Sequence, residues 1–169
     1  MNYTTVLENH TRLLSCVTKA MELASKVHKH QTRSFANEPY INHCIRVANN
    51  PEVVKQGALA ICVALMHDCM EDAEYPEEIT KYIQDNFPVE VFDACKLLTH
   101  DRMEHTYQEY IQNILDSKNR YAIIVKYADS LDNSTPTSSM PEEWISKCKL
   151  YKARSEQYLS YFNEVFNGS

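Results

Sequence analysis

ALMHDCMEDA, residues 64–73, begins as an apolar run and then places His67, Asp68, Glu71 and Asp72 within six positions. On an α-helix, residues three and four apart share a face, so His67 aligns with Glu71, and Asp68 with Glu71 and Asp72. Just upstream, Ala58, Leu59, Ile61, Cys62, Val63, Ala64 and Leu65 are apolar nearly all round, the pattern of a central helix enclosed by others. Carboxylates buried there without partners would be strongly destabilising, so a cation or a wet cleft must meet them. They also carry the wrong sign for a helix C-terminus, where the macrodipole favours Lys, Arg or protonated His.

Outward from this segment the chain reads as a succession of helices. Asn50-Pro51 supplies an N-cap and a proline at the first helical position, and the helix so opened is expected to run to about Asp72. Thr5-x-x-Glu8 reads as a capping box ahead of Val6, Leu13, Leu14, Val17, Met21, Ala24 and Val27, an amphipathic helix ending near His28. From His30 to Asn42 the periodicity breaks and Pro39 biases Glu38 toward an extended conformation, which predicts a polar, cationic loop; a short helix follows near His43–Val47. Pro76 and Pro88 open two further helices, and two more are expected near 104–116 and 119–131. After the loop NSTPTSSMP, a last helix is expected from Glu142 to Phe166, with Trp144, Leu150, Tyr158, Leu159 and Phe162 turned to the core. The expected fold is an all-α bundle, one domain over 1–169, with the central apolar helix carrying His67 and Asp68.

Composition sets the outer bounds. At 169 residues and 44% apolar, with two glycines, the chain is long enough to form a core without covalent staples. A net charge of -6 gives no general attraction for nucleic acid or an anionic membrane, so an anionic ligand would need a metal or a local basic patch. MNYTTVLENH has no signal-peptide pattern and no apolar run reaches spanning length, so a soluble cytoplasmic protein is expected. Cys16, Cys44, Cys62, Cys69, Cys95 and Cys148 are dispersed without a CxxC pair and read as reduced core thiols.

A second acidic face lies in VKYADSLDN, residues 125–133, where Asp129, Asp132 and Asn133 fall at i, i+3 and i+4. Lys126 faces away from Asp129 by this periodicity and reads as structural. EPYINH, residues 38–43, adds His43 at the start of a helix beside a proline loop. Together His43, His67, Asp68 and Asp129 can supply two imidazoles and two carboxylates to one divalent ion, a donor set suited to Mn2+, Fe2+ or Zn2+. Such an ion lowers the pKa of a water and orients it for attack on phosphorus.

A histidine, an HD pair and a distant helical aspartate resemble the HD-domain metal-dependent phosphohydrolases, and more narrowly the hydrolase half of the RelA/SpoT family and the small alarmone hydrolases. The resemblance rests on HKHQTR with EPYINH, ALMHDCMEDA, the LLTHDR region and VKYADSLDN, spread over about residues 24–133. It implies Mn2+ held by His43, His67, Asp68 and Asp129, with Glu71 and Asp72 assisting the attacking water. It further implies removal of the 3′-pyrophosphate of guanosine tetra- or pentaphosphate, Arg33 against the guanine, Asn133 on the nucleotide and Arg102 near the phosphates. The loop HKHQTRSFANEPY departs from the family's HxGQxRKSGEPY, lacking both glycines and the lysine and carrying one extra residue, which makes this loop the place where substrate choice is decided. Two alternatives stay open: an HD phosphohydrolase for another nucleotide, such as an adenosine alarmone or a phosphorylated nicotinamide cofactor, and a non-catalytic nucleotide-binding partner. The long Tyr-rich C-terminal helix is a candidate surface for packing on a second copy.

Overall fold

Gly57 and the His67–Asp68 junction divide into three pieces the helix expected from Pro51 to about Asp72. The computed structural model describes residues 3–168, with the side chains of 3–7, 9 and 10 left aside. Its helices are α1 (Tyr3–Val27), α2 (Ile41–Ala48), α3 (Pro51–Lys55), α4 (Ala58–Met66), α5 (Cys69–Asp72), α6 (Pro76–Asn86), α7 (Val89–Leu98), α8 (Tyr107–Asp116), α9 (Arg120–Asn133) and α10 (Glu142–Phe162). A π-helical turn, Asn163–Asn167, extends α10. The fold is all-α; among the described residues, extended pairing is confined to an isolated antiparallel bridge between Thr32 and Pro39.

Gly57 ends the short α3 and starts α4 at φ 86° and ψ −171°, a region that L side chains rarely occupy. A Cβ built there meets no atom within 4 Å, so the glycine is required by backbone conformation and not by crowding. Gly57→Ala is therefore expected to cost about 1–3 kcal/mol of stability. Urea unfolding with an unchanged m-value checks this, and an unchanged midpoint would contradict it.

Helix α4 takes the central place, packed by α1, α2, α7 and α9, as its all-round apolar sequence requires. Val63, Ala64, Leu65 and Met66 are fully enclosed. The proline starts at α3 and α6 hold, and Asn50 caps α3 by accepting from Glu52 N. Thr106 and Glu109 form a reciprocal capping box that starts α8 three residues later than the expected 104–116. Helix α1 begins at Tyr3, ahead of the Thr5-x-x-Glu8 box, and the Thr5 side chain lies outside the described residues.

Tyr158 and Phe162 on α10 are buried as expected and Leu159 packs on the core. Trp144 and Leu150 are not core residues; they are 36% and 49% exposed. The first half of α10 instead borders the loop after α1, where the Trp144 ring packs on Phe35 at 5.2 Å and carries Lys147 Nζ at 4.0 Å. All six cysteines are buried and unpaired, and burial pushes the Cys44 and Cys69 thiols up, away from the reactive thiolate. Among the described residues no helix is long and apolar enough to cross a membrane.

Candidate active site

His67 closes α4 and Asp68 opens α5, with Asp68 at φ −101° and ψ −4°. This break interrupts the continuous helix expected through His67, Asp68, Glu71 and Asp72. His67 Nδ1 lies 2.8 Å from Ala64 O, a bond in which Nδ1–H donates and which turns Nε2 into the cleft. His43, buried on α2, has Nδ1 2.7 Å from Asp132 Oδ2, so its Nδ1–H donates to that carboxylate and its Nε2 is likewise free. Nε2 of His43 lies 3.3 Å from Asp129 Oδ1 and 3.8 Å from Asp68 Oδ2. Asp129 on α9 is itself fixed at both oxygens: Oδ1 accepts from Asn133 Nδ2 at 2.6 Å and Oδ2 from Lys126 Nζ at 3.0 Å.

Four side chains from three places in the fold thus converge. Donor atoms of His43, His67 and Asp129 lie within 4.8 Å of one another, the one such group of three among the described residues. Asp68 Oδ2 joins them 2.8 Å from His67 Nε2. That approach lacks hydrogen-bond geometry, and His67 Nε2 is buried without a hydrogen-bond partner. A buried lone pair facing carboxylate oxygens is unfavourable unless a cation or a proton lies between them. Burial works against charge on His67, but Asp68 and then Asp129 outweigh it and hold the imidazole up at about 9. The donors, two neutral-capable imidazole nitrogens and two carboxylates without a thiolate, fit a divalent metal ion.

Around this group the structure corrects one expectation. Lys126 does not face away from Asp129: three residues apart on α9 the two share a face, and the ammonium also lies 5.3 Å from the centre of the Tyr110 ring. Burial alone would lower the Lys126 pKa, but Asp129 holds it well above the usual range. Glu71 and Asp72 line the same hollow as Asp68, and Asp72 N donates to Asp68 O at 2.9 Å. The α5 turn carries Glu71 to the segment after α7, where it accepts from Arg102 Nη2 at 2.8 Å and from His100 N at 3.2 Å. Arg102 remains mostly exposed.

Asp72 opens to solvent at the cleft, where partial desolvation, then the charges of Asp68 and Glu71, push its carboxyl up to about 6. Arg33 and Asn133, expected to face a nucleotide, bond each other through Nη2 and Oδ1 at 2.8 Å. Arg33 Nη1 also donates to Asp132 Oδ2 at 2.6 Å. Its 2.6 Å approach to His43 Nδ1 joins two donors at the shared Asp132 oxygen and is not itself a hydrogen bond when Nδ1 is protonated.

The site residues without an assigned role in the sequence are Asp132, Tyr40 and Lys126. Tyr40 donates its hydroxyl to Asp68 Oδ2 at 2.6 Å. Asp132 and Lys126 lie three residues either side of Asp129, so helical spacing from that one aspartate is the signal that finds them. A polar hollow of about 390 Å3 lies over the group, walled by Asp68, Asp72, Arg102, Tyr107, Lys126 and Asp129. Tyr40, Asn133 and Tyr151 are shared with a neighbouring pocket of about 190 Å3 that reaches Arg33, Phe35 and Trp144. The site therefore has a charged compartment beside an aromatic one.

The HD-domain family profile matches residues 20–133, the stretch that contains all four converging residues. The chain belongs to the HD-domain family. This HD domain is 29% identical over 123 residues to the guanosine-3′,5′-bis(diphosphate) 3′-pyrophosphohydrolase of Haemophilus influenzae, covering 70% of the chain and 18% of that protein. It is also 29% identical over 136 residues to a Mycobacterium leprae protein named "Probable GTP pyrophosphokinase", covering 77% of the chain and 17% of that protein. The HD domain thus spans less than a fifth of the length of these curated relatives. A solved structure, described as a metazoan ortholog of SpoT that hydrolyses ppGpp and plays a role in starvation responses, superposes with a TM-score of 0.67 at 24% identity. The match covers 87% of this chain and 85% of that one, and it establishes the shared fold.

Proposed function

We propose that this HD domain hydrolyses the 3′-pyrophosphate of guanosine tetra- or pentaphosphate to GDP or GTP and pyrophosphate, using a divalent ion, Mn2+ in this reading. The observation that carries it is the orphaned His67 Nε2, converging with His43 Nε2, Asp68 and Asp129 at the floor of a polar cleft. Similarity to the Haemophilus influenzae 3′-pyrophosphohydrolase supports the choice of substrate. His43, His67, Asp68 and Asp129 would hold the ion. When bound, such an ion supplies Lewis acidity toward a phosphoryl oxygen and favours hydroxide over water.

The chain's own groups do the rest. Asp72, with its carboxyl near 6, is ionised at neutral pH and poised to take a proton from the attacking water and return it to the departing 3′-oxygen. Arg102, mostly exposed and tied to Glu71, gives the phosphates a cation at the cleft rim. The aromatic pocket of Phe35 and Trp144 offers faces on which a purine can stack.

A second reading keeps the chemistry and changes the base. Arg33 is already engaged by Asp132 and Asn133, which favours a nucleotide recognised by the aromatic pocket without an arginine on its face. Chromatography of the products formed with Mn2+ from guanosine and adenosine 3′- and 5′-phosphates and from phosphorylated nicotinamide cofactors separates the two. Turnover confined to adenosine substrates or phosphorylated nicotinamide cofactors would replace guanosine alarmone as the substrate.

Metal binding has its own test. At a free ion concentration about 100 times its Kd, a ligand specific for the native state adds about 2.7 kcal/mol. For a domain of this size that raises Tm by about 5–10 °C. His67→Ala is expected to abolish the Mn2+-induced shift in a thermal melt; an equal shift in that variant would contradict the assigned ligands.

A further inference from the structure

Asp132 is the most heavily shared carboxylate in the site, although its side chain faces away from the cleft that holds the proposed chemistry. Oδ2 accepts from His43 Nδ1 at 2.7 Å, from Arg33 Nη1 at 2.6 Å and from Arg46 Nη2 at 3.2 Å, while Oδ1 accepts from Arg46 Nε at 2.7 Å. Arg46 also reaches Glu38, at 2.7 and 3.0 Å. Arg33 and Glu38 face each other across the 28–40 loop that follows α1, joined by the bond from Arg33 N to Glu38 O at 3.0 Å. One carboxylate therefore fastens a metal-site histidine and both sides of that loop, directly at Arg33 and through Arg46 at Glu38.

A parallel path leaves the same guanidinium. Arg33 Nη2 donates to Asn133 Oδ1, and Asn133 Nδ2 donates to Asp129 Oδ1. Arg33 thus supports His43 through Asp132 and Asp129 through Asn133. With side chains 14% and 13% exposed, Arg33 and Asp132 form this link largely out of solvent, where charge-assisted bonds hold a geometry firmly.

We propose that Asp132 is a positioning residue that, with Arg33, couples the affinity of the metal site to the seating of the 28–40 loop. Asp132 keeps the His43 proton on Nδ1 and the ring turned so that Nε2 faces Asp129 and Asp68. Without it, His43 loses its orienting acceptor and is left beside two arginines whose charge opposes a bound cation. Coupling of this kind is reciprocal, so a nucleotide that draws Arg33 toward its base alters metal affinity by the factor that metal alters nucleotide affinity.

The inference rests on the metal site proposed above, and the test separates the two. Mn2+ binding to the nucleotide-free protein is measured by electron paramagnetic resonance of the free ion, with circular dichroism as the check on folding. Asp132→Ala and Arg33→Ala are each expected to weaken binding, the former by about 10- to 100-fold, and Asp132→Asn, which keeps an oxygen acceptor for Nδ1–H, to recover most of that loss. A residue that served only the base would leave metal affinity unmoved and raise KM alone. Should Asp132→Ala fail to fold, the affinity of Arg33→Ala decides between coupling and its absence. If the wild type binds Mn2+ and His67→Ala does not, affinity within about twofold of wild type in a folded Asp132→Ala or Arg33→Ala overturns the coupling and leaves the metal site standing. A wild type that binds no Mn2+ overturns both.

Discussion

His67→Ala and Asp68→Asn are each expected to lower kcat for nucleotide hydrolysis by about 10³-fold or more, the scale on which removal of an electrostatic group aimed at developing charge acts. His67 supplies a buried Nε2 that no protein donor satisfies, so its loss removes a ligand and no internal hydrogen bond at that atom. Asp68→Asn is the cleaner variant. It preserves shape, and its remaining oxygen can still accept from the Tyr40 hydroxyl. It should therefore remain folded by circular dichroism while the Mn2+-induced shift disappears. Steady-state kinetics beside thermal melts read both quantities, and wild-type turnover in a folded Asp68→Asn protein would refute the assignment.

Asp72→Asn is expected to lower kcat by about 10²–10⁴-fold, the usual contribution of a positioned base. The pH dependence follows from its raised carboxyl. Below about 6 the group is protonated and cannot accept a proton, so kcat rises with pH through that region and levels above it. A cation bound nearby favours the carboxylate and moves the acid limb lower, never higher. Asp72→Asn should remove the limb along with the rate. A variant that keeps the wild-type limb would assign the base elsewhere. Glu71→Gln should act differently, because Glu71 holds Arg102 and the His100 amide: the larger change is expected in KM.

The fold was legible wherever the sequence carried local punctuation. Pro51, Pro76 and Pro88 stand at helix starts, and the all-round apolar run of α4 marks the centre of the bundle. What periodicity concealed were breaks. Gly57 interrupts by backbone conformation, and the His67–Asp68 junction carries no glycine or proline to announce it. The junction falls within the group His67, Asp68, Glu71 and Asp72, yet Asp68, Glu71 and Asp72 still line one hollow.

The converging set of His43, His67, Asp68 and Asp129 was legible because His43 and Asp129 sit on helices with a polar face against an apolar one, and the HD pair ends the all-round apolar run of α4. Lys126 and Asp132 were less so: each matters through a partner, and the partners come from the i−3 neighbour rule in one case and from α2 and the 28–40 loop in the other. Trp144 shows the same limit from the apolar side, since large size and helical spacing placed it in the core while its contacts are with Phe35 and Lys147 at the pocket.

Phosphorus NMR of guanosine tetraphosphate incubated with the Mn2+-loaded protein reads the proposed bond cleavage itself. The expected spectrum shows stoichiometric GDP and pyrophosphate without orthophosphate, and neither product with Asp68→Asn. Release of orthophosphate alone, or no turnover by a protein shown to have Mn2+ bound, would contradict hydrolysis of the 3′-pyrophosphate at this site.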